Sequence, residues 1–367
     1  MTHRVVQVVQ HLRPGGIETM ALDLLENLAD GESHLVSLEG DKATAIAAWP
    51  RLAQYQARLH FLDKPQGRSW WSLLRLALLL KRLKARAVHT HHIGPLLYGG
   101  LAARIAGIKC RIHTEHDAWH LESDEALALE TKLLDWVKPT LVADCHMVAR
   151  KVETLLPHYP VRVIPNGIDM ARFRPVSSDK KGQLRREFGL PIPARLVGCA
   201  ARLEPVKAIE NLLIAMTQLP EHIHLALAGD GSERMLLQSL SSELGLAERV
   251  HFLGAIDQMP EFYGCLDLFC LPSLKEGLPL SPLEAQACDV PVVLTRVGGC
   301  PDISCPDTGK LVNAGDCLGL QLAIRSLLQR PSSRSPRQFV AKIGDLRTTV
   351  ARYAELLEPD HQEARHA

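Results

Sequence analysis

Short apolar runs alternate with stretches of helical period along almost the whole chain, and the alternation lapses once before restarting. Val5, Val6, Val8 and Val9 mark a first buried strand within residues 4–10. Residues 17–28 then repeat apolar positions at Met20, Leu24, Leu25 and Leu28, the spacing of one helix face. The same alternation predicts strands over 34–38, 59–62, 87–90, 110–114, 140–143 and 161–164, with helices over 69–84, 96–106, 125–137 and 149–156. Strands separated by helices pair in parallel, and a parallel sheet needs helices on both faces. At Pro165-Asn166-Gly167-Ile168-Asp169 the pattern breaks. Residues 171–194 are polar, with one short helix expected over 183–188. Strands resume at 196–200, 224–228, 250–253, 267–271, 291–294 and 309–312, and a last helix over 346–357 has no strand after it. The expected organisation is an α/β domain over 1–170, an interdomain linker over 171–194, a second α/β domain over 195–345, and a terminal helix and tail over 346–367.

A length of 367 residues agrees, because one hydrophobic core rarely serves so long a chain. Lys and Arg number 42 against 41 Asp and Glu, so nothing points to a nucleic-acid binder held by bulk charge. The nine cysteines show no Cys-x-x-Cys pairing, and no secretory signal precedes the first strand; a reduced, cytoplasmic protein is expected. The longest apolar run, 73–80, is broken by Arg75 and is too short to span a bilayer.

The densest chemistry lies between residues 267 and 294. An apolar strand opens into a loop holding Glu276, Gly277, Leu278 and Pro279, a helix is expected to start near Ser281 with Pro282 at its first position and Glu284 in its first turn, and a second strand follows at once. Two carboxylates thus stand at the carboxyl end of a parallel strand, where open α/β sheets bind ligands. Free N–H groups at a helix start attract phosphate. Carboxylates among them suit hydroxyls, so the pair suggests a ligand with both, such as a nucleotide sugar. The plainer alternative is a helix N-terminus with a favourable Glu. Arg202 and Lys207, five apart past the first strand of the second domain, suit a diphosphate or form a merely solvated pair. Arg13-Pro14-Gly15-Gly16 is a glycine turn between strand and helix. It is not a Gly-x-Gly-x-x-Gly fingerprint, and no acidic residue stands in the ribose-binding position, which disfavours a dinucleotide-dependent oxidoreductase.

Glu276 and Glu284, seven residues apart and followed by Ala285, Ala287, Cys288 and Pro291-Val292-Val293, resemble the Glu-x7-Glu motif of family-four retaining glycosyltransferases. Gly15-Gly16-x-Glu18, His113-Thr114-Glu115-His116, Pro165-Asn166-Gly167-Ile168-Asp169, Arg202-x4-Lys207 and Gly229-Asp230-Gly231 fall in the order that family shows. Two departures stand out: Pro279 and Asp289 occupy positions where glycine is common.

The resemblance implies a GT-B fold, with two doubly wound Rossmann-like domains, a deep cleft between them, and the C-terminal helix crossing back to the first domain. It implies transfer of a hexose from a UDP or GDP sugar to a glycan or lipid-linked acceptor, in exopolysaccharide or cell-envelope synthesis. Arg202 and Lys207 would hold the donor diphosphate in place of an essential divalent metal, and no other cofactor is expected. Glu276 and His116 would meet the transferred sugar, with His116 a base or only a hydroxyl partner. Glu284 would hold the ribose. Gly15, Gly16, Asn166, Gly229, Gly277, Leu278, Pro279 and Leu280 would complete the donor site. In retaining transfer the leaving phosphate oxygen is the proton acceptor, so Glu276 is not half of a hydrolase carboxylate pair. The rival expectations are a non-catalytic nucleotide-sugar-binding subunit and a GT-B sugar-nucleotide epimerase.

Two further features carry alternative readings. His89, His91, His92, His113, His116 and His120 cluster after two strands, but no zinc-enzyme spacing is present and no metal site is expected. Residues 68–86 hold Arg68, Arg75, Lys81, Arg82, Lys84 and Arg86, no acidic residue, and the adjacent Trp70 and Trp71. The stretch suits peripheral contact with the inner face of an anionic membrane. It equally suits a sheet-packing helix with solvated cations.

Overall fold

Every residue of β1 (Val5–Val9) is buried, as a central strand covered on both faces must be. It pairs in parallel with β2 (His34–Ser37) on one side and β4 (Ala87–His91) on the other. β3 (Leu59–Phe61), β5 (Cys110–Glu115), β6 (Thr140–Ala143) and β7 (Val161–Val163) complete a sheet of order β3-β2-β1-β4-β5-β6-β7. The computed structural model describes residues 4–28, 32–330 and 333–357. These fall into two compact units, Gly167–Asp345 and the remainder of the chain.

The second unit repeats the plan. β8 (Arg195–Ala200), β9 (Ile223–Ala228), β10 (Val250–Gly254), β11 (Leu268–Leu271), β12 (Val292–Thr295) and β13 (Lys310–Val312) form a parallel sheet of order β10-β9-β8-β11-β12-β13. In each sheet the strand order reverses once, between β1 and β4 in the first and between β8 and β11 in the second. The loops leaving the carboxyl ends of those strands flank a ready crevice.

The terminal helix Leu346–Glu355 belongs to the first unit, as expected. Tyr353, Leu356 and Leu357 are buried with Met20, Leu24, Val142 and Ile164. The Tyr353 hydroxyl shares a 2.9 Å hydrogen bond with Thr114 Oγ1 at the end of β5.

Residues 171–194 are expected to be an interdomain linker with a short helix over 183–188. They carry the helix Ser178–Glu187, capped by Ser177, which is tied to residues 265–267 just before β11. Arg185 donates to Asp267 Oδ2 at 2.7 Å and to the Cys265, Ile192 and Ala194 carbonyls. A buried guanidinium satisfied this fully fixes the segment, and polarity concealed only the first five residues of the helix. The helices Met259–Cys265 and Pro336–Ile343 also escaped notice, being too short to show a period. Asp289 has φ +65°, the left-handed backbone that favours glycine, which accounts for glycine being common there in the family.

Candidate functional site

In the second unit the expected donor residues gather on the loops after β8 and β11. Lys207 ends a short 3-10 turn, Pro205–Lys207, after β8. Its Nζ lies 2.7 Å from Glu276 Oε1 on the loop after β11. Ser273 Oγ donates to the same oxygen at 2.6 Å, and Thr295 Oγ1 donates to the Ser273 carbonyl at 2.6 Å. Glu276 is therefore buried in a fixed rotamer between a cation and a hydroxyl. Arg202 stands exposed on the loop after β8. Leu274 N–H donates to the Val206 carbonyl at 2.8 Å, tying the two loops together.

The following helix is Leu280–Ala287, one residue earlier than expected, with Pro279 as its N-cap. Pro282 is thus its third residue, and Glu284 lies in the second turn. A helix start normally offers four free N–H groups. Pro279 and Pro282 have none, which leaves the donors of Leu280 and Ser281. Glu284 is nearly buried, and Tyr263, fully buried, donates its hydroxyl to Glu284 Oε2 at 2.7 Å. Burial and the Glu284 charge hold the Tyr263 hydroxyl well above the usual tyrosine range, so it stays a donor.

Two glycines shape this loop set. Gly298, at φ +55°, crosses the Glu276–Gly277 backbone, and a Cβ there would run into the Glu276 carbonyl. Its neighbour Gly299 donates N–H to the Gly277 carbonyl at 2.7 Å. Gly229, at φ +137°, ends β9 with the Ala201 carbonyl where a Cβ would stand. That close approach lets the Arg202 loop and the Gly229-Asp230-Gly231 turn pack together. Leu203 N–H donates to the Asp230 carbonyl at 3.0 Å.

In the first unit Gly15 caps the helix Gly16–Asn27 after β1, at φ −170°, an extended conformation any residue adopts. His116 follows β5 and is buried within a chain of hydrogen bonds. Gln7 Nε2 donates to the Ala21 carbonyl at 2.8 Å, which turns its Oε1 toward His91 Nε2, 3.1 Å away. His91 Nε2 must then carry hydrogen. Full burial, and then the neighbouring histidines, hold the pKa of His91 well below the usual range, so this ring is neutral and its Nδ1 accepts. His116 Nε2, at 3.1 Å, is thereby fixed as a donor to His91. His116 Nδ1 lies 3.3 Å from Asp144 Oδ2, which also accepts from Asn166 Nδ2 at 3.1 Å. Asp144 Oδ1 and Asn166 Oδ1 are buried without a hydrogen bond. Two orphan acceptors suit ligand hydroxyls.

Beside this chain, His113 is a buried imidazolium. Burial opposes its charge, but hydrogen bonds donated to the Glu115 and Glu130 carboxylates outweigh it and raise the pKa to about 10.

Elsewhere in the first unit, the helix Trp70–Arg82 buries Ser72, Leu73, Leu76, Ala77 and Leu80. Trp70 and Trp71 are 78% and 68% exposed, and Leu74 and Leu78 are exposed beside them. Lys81, Arg82, Lys84 and Arg86 are all exposed. A pocket of about 550 Å³ flanks this helix, lined in part by Lys42, His60, Arg75, Leu78 and Arg82. Among the described residues no helix is long and apolar enough to cross a membrane.

A model of Glycosyltransferase Family 4 matches residues 14–172, and one of Glycosyl transferases group 1 matches residues 180–342. The chain belongs to the family-four glycosyltransferases. Its structure is similar to that of HepE from Anabaena, solved with UDP and glucose, at a TM-score of 0.84 with 22% identity, covering 97% of this chain and 99% of that one. The two units thus form a GT-B fold. Similarity extends to WaaG, a glycosyltransferase involved in lipopolysaccharide biosynthesis, at a TM-score of 0.71 with 16% identity, covering 97% of this chain and 100% of that one.

Among curated relatives, this family-four chain is 31% identical over 244 residues to the UDP-Gal:alpha-D-GlcNAc-diphosphoundecaprenol alpha-1,3-galactosyltransferase of Escherichia coli, covering 62% of each. It is 33% identical over 222 residues to the GDP-mannose-dependent alpha-(1-6)-phosphatidylinositol monomannoside mannosyltransferase of Mycolicibacterium smegmatis, covering 56% of this chain and 57% of the relative. The chain therefore spans about three fifths of the length of these two relatives. Within this family-four chain, Tyr263, Ser273, Thr295, Gly298, His91, Gln7 and Asp144 are site residues that sequence reasoning missed. Only the Gly298-Gly299 pair, next to a strand end, carried a local signal.

Proposed function

We propose that this chain is a retaining glycosyltransferase that moves a hexose from a nucleoside-diphosphate sugar to a glycan or lipid-linked acceptor. The observation that carries the reading is the Lys207–Glu276 ion pair on the two loops flanking the second sheet's strand-order reversal. It puts a cation for phosphate and an acceptor for sugar hydroxyls in one place. Arg202 and Lys207 stabilise charge on the departing diphosphate, and charge-assisted hydrogen bonds of this kind contribute about 1.5–3 kcal/mol each. Leu280 and Ser281 N–H add donors at the helix start. Glu284, oriented by Tyr263, takes the ribose hydroxyls. The leaving phosphate accepts the acceptor's proton, which needs no carboxylate nucleophile and no essential divalent metal.

The relatives' printed names, one UDP-dependent and acting on a diphosphoundecaprenol, the other GDP-mannose-dependent and acting on a phosphatidylinositol mannoside, support a lipid-linked acceptor and a cell-envelope or exopolysaccharide product. The same reading places the enzyme in the cytoplasm, with the Trp70–Arg82 helix against an anionic membrane. The exposed Trp70, Trp71, Leu74 and Leu78 support this, as do the cations at the helix end.

The test is incubation with labelled UDP and GDP hexoses and a lipid-phosphate acceptor, followed by NMR of the anomeric centre. A glycosylated product with the donor's α-configuration is expected. Binding of a sugar nucleotide without transfer points to a non-catalytic binding subunit, and recovery of an epimerised donor to an epimerase.

A further inference from the structure

We propose a zinc site in the first unit, at the carboxyl ends of β4 and β5, with His92, Asp117 and His120 as its protein ligands. One ligand atom from each of the three lies within 4.8 Å of the others. His92 Nε2 is 3.3 Å from Asp117 Oδ2, and His120 Nδ1 is 3.8 Å from Asp117 Oδ1. A tetrahedral zinc with bonds of about 2.0–2.2 Å sets its ligand atoms roughly 3.4 Å apart. Separations of up to 4.8 Å would have to shorten by at most about 1.4 Å to close the set.

An independent observation points to a missing partner. Both ring nitrogens of His120 are shielded from solvent and lack a hydrogen bond. Glu115, 1% exposed, also has an orphan oxygen, Oε2, and it stands 3.8 Å from His120 Nε2. Its other oxygen is held by His113 at 2.7 Å. Zinc on His120 Nδ1 leaves Nε2–H to donate to Glu115 Oε2, the carboxylate–histidine–metal arrangement that fixes a ligand's tautomer. Both orphans are satisfied at once. His92 adds to this with φ +77° and ψ 165°, backbone that residues with a Cβ rarely adopt, which directs its ring toward Asp117.

Two imidazoles and one carboxylate suit zinc better than magnesium or calcium, which take oxygen ligands. Three protein ligands leave a fourth position open. The neighbouring group His113, Glu115 and Glu130 does not offer the same, because His113 already spends Nδ1 on Thr90 and Nε2 on Glu115. Sequence spacing conceals the site, since its ligands come from two strand ends rather than one helix face.

The site does not depend on the proposed transfer reaction and is tested apart from it. The full chain is stripped with chelator, dialysed and titrated with Zn²⁺ against a chromophoric competitor, then with Co²⁺. One equivalent of zinc, visible bands of four-coordinate cobalt and a raised Tm are expected. His120→Gln and His92→Asn should each weaken zinc binding at least about tenfold, and Glu115→Gln about 10–100-fold. His34→Gln and His224→Gln, which disrupt two close ring pairs elsewhere, His34–His60 and His224–His251, should leave it unchanged. Absence of stoichiometric zinc and of the cobalt bands in the parent chain would overturn the proposal. So would affinity that survives His120→Gln in a folded variant, or that disappears with His34→Gln or His224→Gln.

Discussion

Lys207 Nζ and Glu276 Oε1 stand 2.7 Å apart, so the cation proposed for the leaving diphosphate and the carboxylate proposed for the sugar are bonded to each other. Donor binding must divide them. Glu276→Ala should therefore lower kcat about 10- to 150-fold, the value of a charged hydrogen bond of about 1.5–3 kcal/mol, while affinity for free nucleoside diphosphate holds or rises as Lys207 is released. Parallel isothermal titrations and initial rates check this. Equal losses in both would remove Glu276 from the sugar. Glu284→Ala should show the opposite emphasis, and Tyr263→Phe a milder version of it.

Arg202→Ala and Lys207→Ala should each cut kcat by about 10²–10³, and the double variant should fall well short of the product of the two. Both groups act on one leaving group, so losing either already forfeits much of its stabilisation. Adding Mg²⁺ to chelator-treated enzyme should change the rate by less than about twofold. Strict magnesium dependence would show that the cations do not replace a metal.

These two groups were legible in the sequence because each side chain lies next to the strand that positions it. The strands were legible for a related reason: β1, β11 and β12 are buried throughout and read as apolar runs, broken only by Gln7 in β1 and by Thr295 at the end of β12. The supporting contacts were not. Tyr263 reaches Glu284 across 21 positions, and Gln7 reaches His91 across 84. Periodicity reports only which face of an element is buried, not which partner waits there. The helix Ser178–Glu187 was legible only in its second half, as the short helix expected over 183–188, for another reason. What fastens it is a buried arginine, a residue type that ordinarily marks surface.

The Gln7–His91–His116 chain fixes His116 Nε2 as a donor, which favours a positioning role over that of a base. His116→Asn should keep at least about a tenth of kcat, and the acid limb of its pH–rate profile should not move. His91→Leu should raise KM more than it lowers kcat. A lost or shifted acid limb in His116→Asn would establish His116 as the base.

His60 pairs with His34 at 3.2 Å on the outer strands of the first sheet. Burial first, then His34, Lys42 and Arg82, push its pKa down to about 4. An unfolded histidine titrates near 6.5. The folded value is the lower one, so His60 contributes stability that is complete above about pH 6.5 and lost as pH falls through about 4. Urea titrations across that window should show His60→Gln taking up to about one proton fewer on unfolding than the parent chain. An identical pH slope in the two would mean that His60 is solvated in the folded protein.

The helix Trp70–Arg82 turns one apolar stripe inward and a second outward. Leu73, Leu76 and Leu80 are buried, while Trp70, Leu74 and Leu78, spaced at i, i+4 and i+8, face solvent together with Trp71. A helix serving only as sheet packing would carry polar residues on that outer stripe. Lys81, Arg82, Lys84 and Arg86 crowd its end and the turn beyond, all exposed. Aromatic and leucine side chains beside such cations suit the interface of an anionic bilayer, where each cation contributes about 1 kcal/mol. Four of them amount to about 4 kcal/mol, roughly a thousandfold in partitioning. Sedimentation with vesicles rich in anionic lipid should bring the protein down at low salt and release it at high salt, and neutral vesicles should leave it in the supernatant. The combined change Lys81→Gln, Arg82→Gln, Lys84→Gln and Arg86→Gln should abolish sedimentation without lowering the rate on a soluble acceptor. Trp70→Ala with Trp71→Ala should weaken binding while keeping its dependence on salt, because the aromatic contribution does not rest on charge. Sedimentation indifferent to lipid charge and salt would refute the assignment and leave the outer stripe for another protein to cover.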